Sequence, residues 1–164
     1  MKTILIFVAC LWLLAGCQKP AAPAIDKAAA AQAVNDLMDA LTKGLNAEDA
    51  SAVTSILAED ALPLGTDPGE FWSKSEFLTA IEAAAKDTTT TLTFVQDKRD
   101  VRLSEDGTMA IVTTQGMFPI MSSKVAIRGT AHARNRDGKW QFDYVNWAAV
   151  PKNEDLPKIN KALE

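Results

Sequence analysis

The sequence predicts an α+β fold in which helices pack on one face of an antiparallel sheet. Apolar residues recur with helical spacing through residues 26–86. Beyond residue 86 the composition changes to threonine, β-branched and aromatic residues, which favour strands. Turn sequences at residues 104–107 and 135–138 divide this second part into hairpins. Helices followed by hairpin-linked strands favour an antiparallel sheet with the helices on one side.

The N-terminal segment is expected to direct the chain to a membrane. A short basic start, Met1-Lys2-Thr3, precedes an apolar run over residues 4–14 and the sequence Leu14-Ala15-Gly16-Cys17. This arrangement resembles a bacterial lipoprotein signal peptide, in which the bond before the cysteine is cut and the sulfur carries lipid. The apolar run is too short to cross a hydrocarbon layer of roughly 30 Å. We therefore expect residues 1–16 to be removed and lipidated Cys17 to anchor the protein in the cell envelope.

Residues 17–25 are expected to form an extended tether, since Pro20 and Pro23 stand among alanines. Gln18 follows the cysteine. In the lipoproteins that the segment resembles, an aspartate at this position favours the inner membrane, so we expect the periplasmic face of the outer membrane. Cys10 lies in the removed segment, and no thiol pair is left for a disulfide.

Three helices are predicted between the tether and the strands. Asp26 suits the N-cap of the first, Gly44 suits its end, and its apolar stripe comprises Val34, Leu37, Met38, Leu41 and Leu45. Asn46 with Asp49 suits the start of a second, short helix with Val53, Ile56 and Leu57 on its inner face.

Residues 63–71 contain two prolines and two glycines, which predict a loop. Ser73-Lys74-Ser75-Glu76 then has the Ser and Glu spacing of a capping box. It predicts a third helix with an apolar face formed by Phe77, Leu78, Ile81, Ala84 and Ala85.

The strand region is expected to contain two hairpins. If Asp106-Gly107 is a two-residue turn, Val101 pairs with Val112 and Leu103 with Ala110, which gives one apolar face. The four strands are predicted at residues 91–103, 108–118, 124–134 and 139–150. The remaining residues, 151–164, form a C-terminal tail that is expected to end in a short helical turn or to fray.

The same turn assumption at Asp137-Gly138 fixes the second hairpin. It pairs Ala133 with Phe142 and Ala131 with Tyr144. The side chains expected toward the helices are then Trp140, Phe142 and Tyr144. The outer face would carry His132, opposite Asp143, together with Val145 and Trp147.

Three segments carry a family resemblance through their order and spacing: residues 65–72 (GTDPGEFW) before a capped helix, residues 104–110 (SEDGTMA) and residues 136–140 (RDGKW). Together they resemble the SnoaL-like branch of the nuclear transport factor 2-like superfamily. The resemblance implies a domain over residues 26–150 whose strongly curved sheet wraps the helices into a cone. It also implies a small apolar ligand in the open end of the cone, and dimerisation through the outer face of the sheet.

Six residues are candidates for ligand binding: Asp67, Trp72, Asp97, Arg99, Tyr144 and Asn146. Asp97 and Arg99 interrupt an apolar row and could act as a base and an anion-binding group; an ion pair at the mouth of the cone, or a bulge that turns both outward, are the alternatives. Tyr144 and Asn146 could orient a ligand, or be a core tyrosine and a strand-end asparagine. Trp72 could roof a pocket or belong to the core, and Asp67 could only stabilise a turn.

Several function classes lack their residues. The formal net charge is −4 and no basic cluster is visible, which argues against nucleic acid as a partner. His132 is the single histidine, so no metal site and no cofactor are expected. Neither a Gly-x-Ser-x-Gly elbow nor a phosphate-binding glycine loop is present.

Three interpretations remain for the domain. The favoured one is a noncatalytic lipoprotein that binds a small apolar or amphipathic molecule, or a protein, through the cone and the outer sheet. The second is a lyase, isomerase or hydrolase with Asp97 or Asp67 as base and Tyr144 as donor. The third is a structural envelope subunit with a filled cone. Trp147 on the outer face would favour a homodimer, because an exposed tryptophan suggests burial by another subunit.

Overall fold

A computed structural model of the chain describes residues 26–87 and 93–164. The expected signal segment, Cys17, the tether and the first residues of the first predicted strand lie outside them. The elements in chain order are α1 (Lys27–Asn46), α2 (Ala50–Ile56), β1 (Leu57–Leu64), α3 (Lys74–Ala84), β2 (Val95–Leu103), β3 (Met109–Met117), β4 (Ala126–Arg136), β5 (Lys139–Val150), a 3-10 turn (Asn153–Asp155) and α4 (Leu156–Ala162). The predicted α+β class is confirmed. Among the helices of these residues, none has the length and hydropathy needed to span a bilayer.

Helix α1 begins as predicted and ends later than predicted. The Asp26 carboxylate accepts hydrogen bonds from the backbone N–H groups of Ala28 and Ala29, at 2.9 and 3.1 Å. Gly44, predicted as the stop, lies buried inside the last turn instead. A Cβ there would lie 2.9 Å from Cγ2 of Val53, so the glycine allows α1 and α2 to pack closely.

The end of α1 is tied to the segment before β2. The Asn46 side chain donates to the carbonyl of Phe94 at 3.1 Å and accepts from the Phe94 N–H at 2.8 Å. Asp49 alone caps α2, through the N–H of Ala52 at 3.0 Å. The capping box of α3 is present as predicted, with reciprocal bonds between Ser73 and Glu76.

Strand β1 was not predicted. Helix α2 ends at Ile56, so the expectation that Leu57 belongs to its inner face was wrong. Leu57 instead starts a strand that pairs in parallel with β5, and the predicted loop therefore begins after Leu64 rather than at Pro63. Pro63 is tolerated because β1 lies at the edge of the sheet.

The sheet has the strand order β1-β5-β4-β3-β2. Between β2 and β3, Val101 pairs with Val112 and Leu103 with Ala110, which confirms the predicted register. Farther along, a bulge leaves Asp97 unpaired, because Gln96 pairs with Gly116 and Lys98 with Gln115. Beyond this bulge Arg99 pairs with Thr114.

A second bulge corrects the predicted face of β5. Ala133 pairs with Phe142 as predicted, but the next pair is His132 with Tyr144, so Asp143 is an extra residue. The predicted pair of Ala131 with Tyr144 is therefore wrong. Because side chains alternate along a strand, one inserted residue exchanges the two faces for the rest of β5.

The exchange moves Val145 and Trp147 into the core, where they are 2% and 7% exposed. Tyr144 and Asn146 lie on the outer face instead, opposite His132 and Thr130. The core between helices and sheet includes six large side chains that are almost fully buried: Val34, Leu41, Val53, Leu57, Ile127 and Phe142.

Candidate functional site

A cavity of about 330 Å³ lies where the C-terminal end of α1, the loop after β1, helix α3 and the end of β3 meet. Apolar and aromatic side chains form most of its wall: Leu45, Trp72, Phe77, Ile81, Phe118 and Trp147. A volume in this range suits a small organic molecule.

Aromatic rings follow one another along this wall. The ring centroids of Trp72 and Phe77 are 5.6 Å apart with an interplanar angle of 32°. Those of Phe77 and Trp147 are 6.1 Å apart at 29°. Phe118 adds a further ring to the lining and itself packs on Phe94, with centroids 5.0 Å apart. The cavity is therefore bordered by π-faces and ring edges.

Each ring is placed by a local feature of the chain. The capping box starts α3 at Lys74 and so brings Phe77 into its first turn, facing the core. The backbone N–H of Trp72 donates to the carbonyl of Pro63 at 3.1 Å, which ties the loop to β1. Trp147 reaches the wall only because the bulge in β5 turns it inward.

The loop at residues 65–72 contributes the polar part of the cavity. Glu70 and Thr66 belong to the lining. The Glu70 carboxylate accepts the backbone N–H of Asp67 at 2.9 Å through Oε2. A side chain at Gly65 would overlap this carboxylate, so the glycine allows Glu70 to fold across the loop.

Of the predicted site residues, Trp72 lines the cavity and Asp67 lies beside it. The Asp67 carboxylate accepts the N–H of Gly69 at 2.8 Å, which is the turn-stabilising role named as its alternative. The Asp67 side chain itself is exposed.

The structure does not bring Asp97 and Arg99 together as an ion pair. Asp97 is exposed at the bulge of β2. Arg99 faces α1, where Nη2 lies 2.6 Å from Oδ1 of Asp39 and Nη1 donates to the carbonyl of Asn35 at 3.2 Å. Its Nη2 also lies 3.0 Å from Oε1 of Gln96. This cluster joins helix and sheet, and none of its residues lines the cavity.

The outer face of the sheet holds a buried carboxylate. Asp143 is 7% exposed, His132 Nδ1 lies 2.6 Å from its Oδ1, and Arg134 Nε donates to its Oδ2. The predicted pairing of His132 with Asp143 is wrong, since His132 pairs with Tyr144, but the two side chains are in direct contact. Tyr144 pairs with His132 on the same face, so neither Tyr144 nor Asn146 reaches the cavity. Within residues 26–87 and 93–164, no group of three or more His, Cys, Asp or Glu side chains could hold a metal ion.

Of the residues that line the cavity, sequence reasoning found only Trp72; those missed include Trp147, which was placed on the outer face, and Glu70, Phe77 and Phe118. Glu70 stood in the quoted loop motif, but nothing local showed the direction of its side chain. Phe77 belonged to the predicted apolar face of the third helix, and Phe118 ended the second predicted strand; their share in a cavity depends on packing between distant elements.

Comparisons with known proteins agree with this architecture. A family model described as a SnoaL-like domain matches residues 34–146. Among curated proteins, no match to the chain was found. A nuclear transport factor 2-like protein of unknown function from Pseudomonas putida KT2440 is similar in structure, with a TM-score of 0.65, 18% identity, and coverage of 77% of this chain and 91% of that one.

Two further solved structures are similar. An uncharacterised protein with a cystatin-like fold from Caulobacter vibrioides has a TM-score of 0.61 at 17% identity, covering 81% of this chain and 97% of that one. A putative calcium/calmodulin dependent protein kinase II association domain from Xanthomonas campestris has a TM-score of 0.60 at 25% identity, covering 83% and 96%.

Proposed function

The chain belongs to the SnoaL-like domain family, and we propose that its domain binds a small apolar or amphipathic molecule in the cavity beside Trp72 and Trp147 without catalysing a reaction. The observation that carries this proposal is the wall of the cavity, which is built from aromatic and aliphatic side chains of five segments: α1, the loop after β1, α3, the segment after β3, and β5. A cavity of about 330 Å³ also argues against the interpretation as a structural subunit with a filled cone.

The positions of the candidate catalytic residues favour binding over catalysis. A base and a donor must both reach the reacting atoms of one substrate. Asp97 is exposed at the bulge of the edge strand β2 and Tyr144 lies on the outer face of β5, and neither side chain lines the cavity. The carboxylate of Asp67, the second candidate base, is held by the N–H of Gly69.

A substitution that fills the cavity tests the proposal. Ala80 lines the cavity on α3, whereas Ala83 is exposed on the same helix. Titration with the uncharged dye 1-N-phenylnaphthylamine, followed by its fluorescence, is expected to show saturable binding to the wild type and to Ala83→Phe. Ala80→Phe is expected to weaken this binding at least about tenfold. Absence of saturable binding to the wild type, or equal binding to both variants, would contradict the proposal.

Membrane attachment is a separate part of the proposed function. We propose that Cys17 is lipidated and holds the domain at the periplasmic face of the outer membrane; the support is the sequence Leu14-Ala15-Gly16-Cys17 followed by Gln18. Cys17→Ala is expected to abolish incorporation of an alkyne-labelled fatty acid and to release the protein from the membrane fraction, whereas Cys10→Ala should change neither. Gln18→Asp is expected to move the protein to the inner-membrane fraction. Retained label in Cys17→Ala would refute the assignment.

We also propose a homodimer through the outer face of the sheet. Trp147 does not support it, because this side chain lies in the core rather than on the outer face. The face exposes Leu62, Met109 and Ile111 around the His132 and Asp143 pair. One similar structure is itself named a putative association domain. Ile111→Arg is expected to convert the species seen by sedimentation from dimer to monomer, and Leu163→Arg, which alters an exposed apolar residue after α4 and outside the strands, should not. A monomeric wild type would refute the dimer.

A further inference from the structure

We infer that the cavity selects an organic cation, a molecule with an apolar body and an amine or quaternary ammonium head that lies between the aromatic wall and Glu70. This inference rests on the proposed ligand-binding function and names the charge of the ligand. It depends on two observations, the charge of the lining and the nature of its wall.

The charge of the lining is negative. Among the described residues that line the cavity, Glu70 is the single one with an ionisable side chain. Its Oε2 accepts one backbone N–H, and within the described residues the carboxylate forms no salt bridge with a lysine, arginine or histidine. A ligand in the cavity therefore meets one carboxylate that no cation of the described chain neutralises.

The wall also favours a cation. Trp72, Phe77 and Trp147 form a continuous set of rings, and Phe118 adds a further one. The face of an aromatic ring carries negative electrostatic potential and attracts ammonium groups, most strongly for tryptophan. An apolar cation gains from these rings and from Glu70 together, whereas an anion is repelled by both.

Hydrogen bonds within the loop hold the Glu70 carboxylate in place. Two backbone hydrogen bonds close the loop. The N–H of Gly65 donates to the carbonyl of Glu70, and the N–H of Glu70 donates to the carbonyl of Asp67, both at 3.0 Å. Gly65 leaves the space that the carboxylate occupies. A methyl group at residue 65 would displace the carboxylate and leave its charge in the loop.

Three probes of one shape test the inference. Phenyltrimethylammonium, tert-butylbenzene and benzenesulfonate each carry a tetrahedral group on a phenyl ring and differ in charge. Their dissociation constants for the full chain can be measured from the change in tryptophan fluorescence. We expect the cation to bind about tenfold more tightly than tert-butylbenzene, and benzenesulfonate to bind most weakly.

Two variants assign the preference to Glu70. Glu70→Gln keeps the length and the acceptor for Asp67 N–H, and it is expected to remove most of the preference for the cation. Glu82→Gln removes the same charge from an exposed position on α3 and should keep the preference. Gly65→Ala retains the charge but moves it, and is expected to weaken binding of the cation more than that of tert-butylbenzene.

The outcomes separate this inference from the function on which it rests. Binding of tert-butylbenzene as tight as that of the cation, or an unchanged preference in Glu70→Gln, would overturn the inference and leave the apolar binding site standing. Binding of the neutral dye without binding of any of the three probes would overturn it as well. Failure of the dye and of all three probes to bind would overturn both.

Discussion

Replacing Thr114 by valine is expected to stabilise the domain by about 1 kcal/mol. Thr114 lies on the helix-facing side of β3 and is 2% exposed. Its Oγ1 is buried and has no hydrogen-bond partner among the described residues. A buried polar group without a partner costs about 1–3 kcal/mol, and valine removes the hydroxyl while keeping the branched shape.

Packing sets the expected gain near the lower end of that range. The hydroxyl lies close to Gly129, since a Cβ on that glycine would be 2.6 Å from Oγ1. A methyl group in the same place is somewhat larger than a hydroxyl, and crowding against the backbone offsets part of the gain.

Urea denaturation of the protein, followed by tryptophan fluorescence, measures the change. Thr113→Val is the matched control, because Thr113 is the next residue and faces the other side of the sheet. We expect the control to stay within about 0.5 kcal/mol of the wild type. If Thr114→Val lowered the free energy of unfolding by more than about 1 kcal/mol with an unchanged denaturant slope, the hydroxyl would have a stabilising partner and the reasoning would be wrong.

Three further outcomes are expected. Gly129→Ala should lower the free energy of unfolding by about 1–3 kcal/mol, because its methyl group overpacks against Thr114. Adding Thr114→Ala should recover much of this loss in a double-mutant cycle, and additive effects of the two substitutions would refute the contact. Asp143→Asn should cost about 1–3 kcal/mol in denaturant titrations because two charge-assisted hydrogen bonds are weakened, and an unchanged midpoint would contradict this. The backbone N–H of Ser73, followed by its side chain, lowers the pKa of Glu76 from its ordinary value of 4.5. A carboxylate whose pKa is lower in the folded state stabilises the protein above its ordinary pKa, and this stabilisation is lost as the pH falls through the folded-state pKa. The free energy of unfolding should therefore fall below pH 4.5. Glu76→Gln should make this decrease with pH less steep.

Local signals predicted those parts of the fold that local contacts determine. The caps at Asp26 and Ser73 accept hydrogen bonds from the first turns of their own helices, so the sequence is sufficient to find them. The β2–β3 register follows from its turn. Strand β1 differs because it pairs in parallel with a strand far along the chain, and Glu59, Asp60 and Pro63 hide the alternation of a strand.

The candidate site was less predictable, for a physical reason. The bulge at Asp143 is associated with contacts to His132 and Arg134 on the neighbouring strand, and no local signal marks them. Regular alternation of side chains from the turn onward therefore placed Tyr144 on the helix-facing side of the sheet and Trp147 on the outer face. Trp72 was found because the loop before a capping box is a recognisable motif.

The extra residue in β5 has a consequence for how this strand can be compared with the same strand in relatives. In a relative with a strand of equal length but no bulge, the residues aligned with Tyr144 and Asn146 would enter the interior, and the residue aligned with Trp147 would lie at the surface. In a relative that lacks the residue aligned with Asp143, the later side chains would keep the faces seen here. An alignment that ignores this single position would therefore assign an oily, ring-lined chamber to a protein whose interior carries a hydroxyl and an amide.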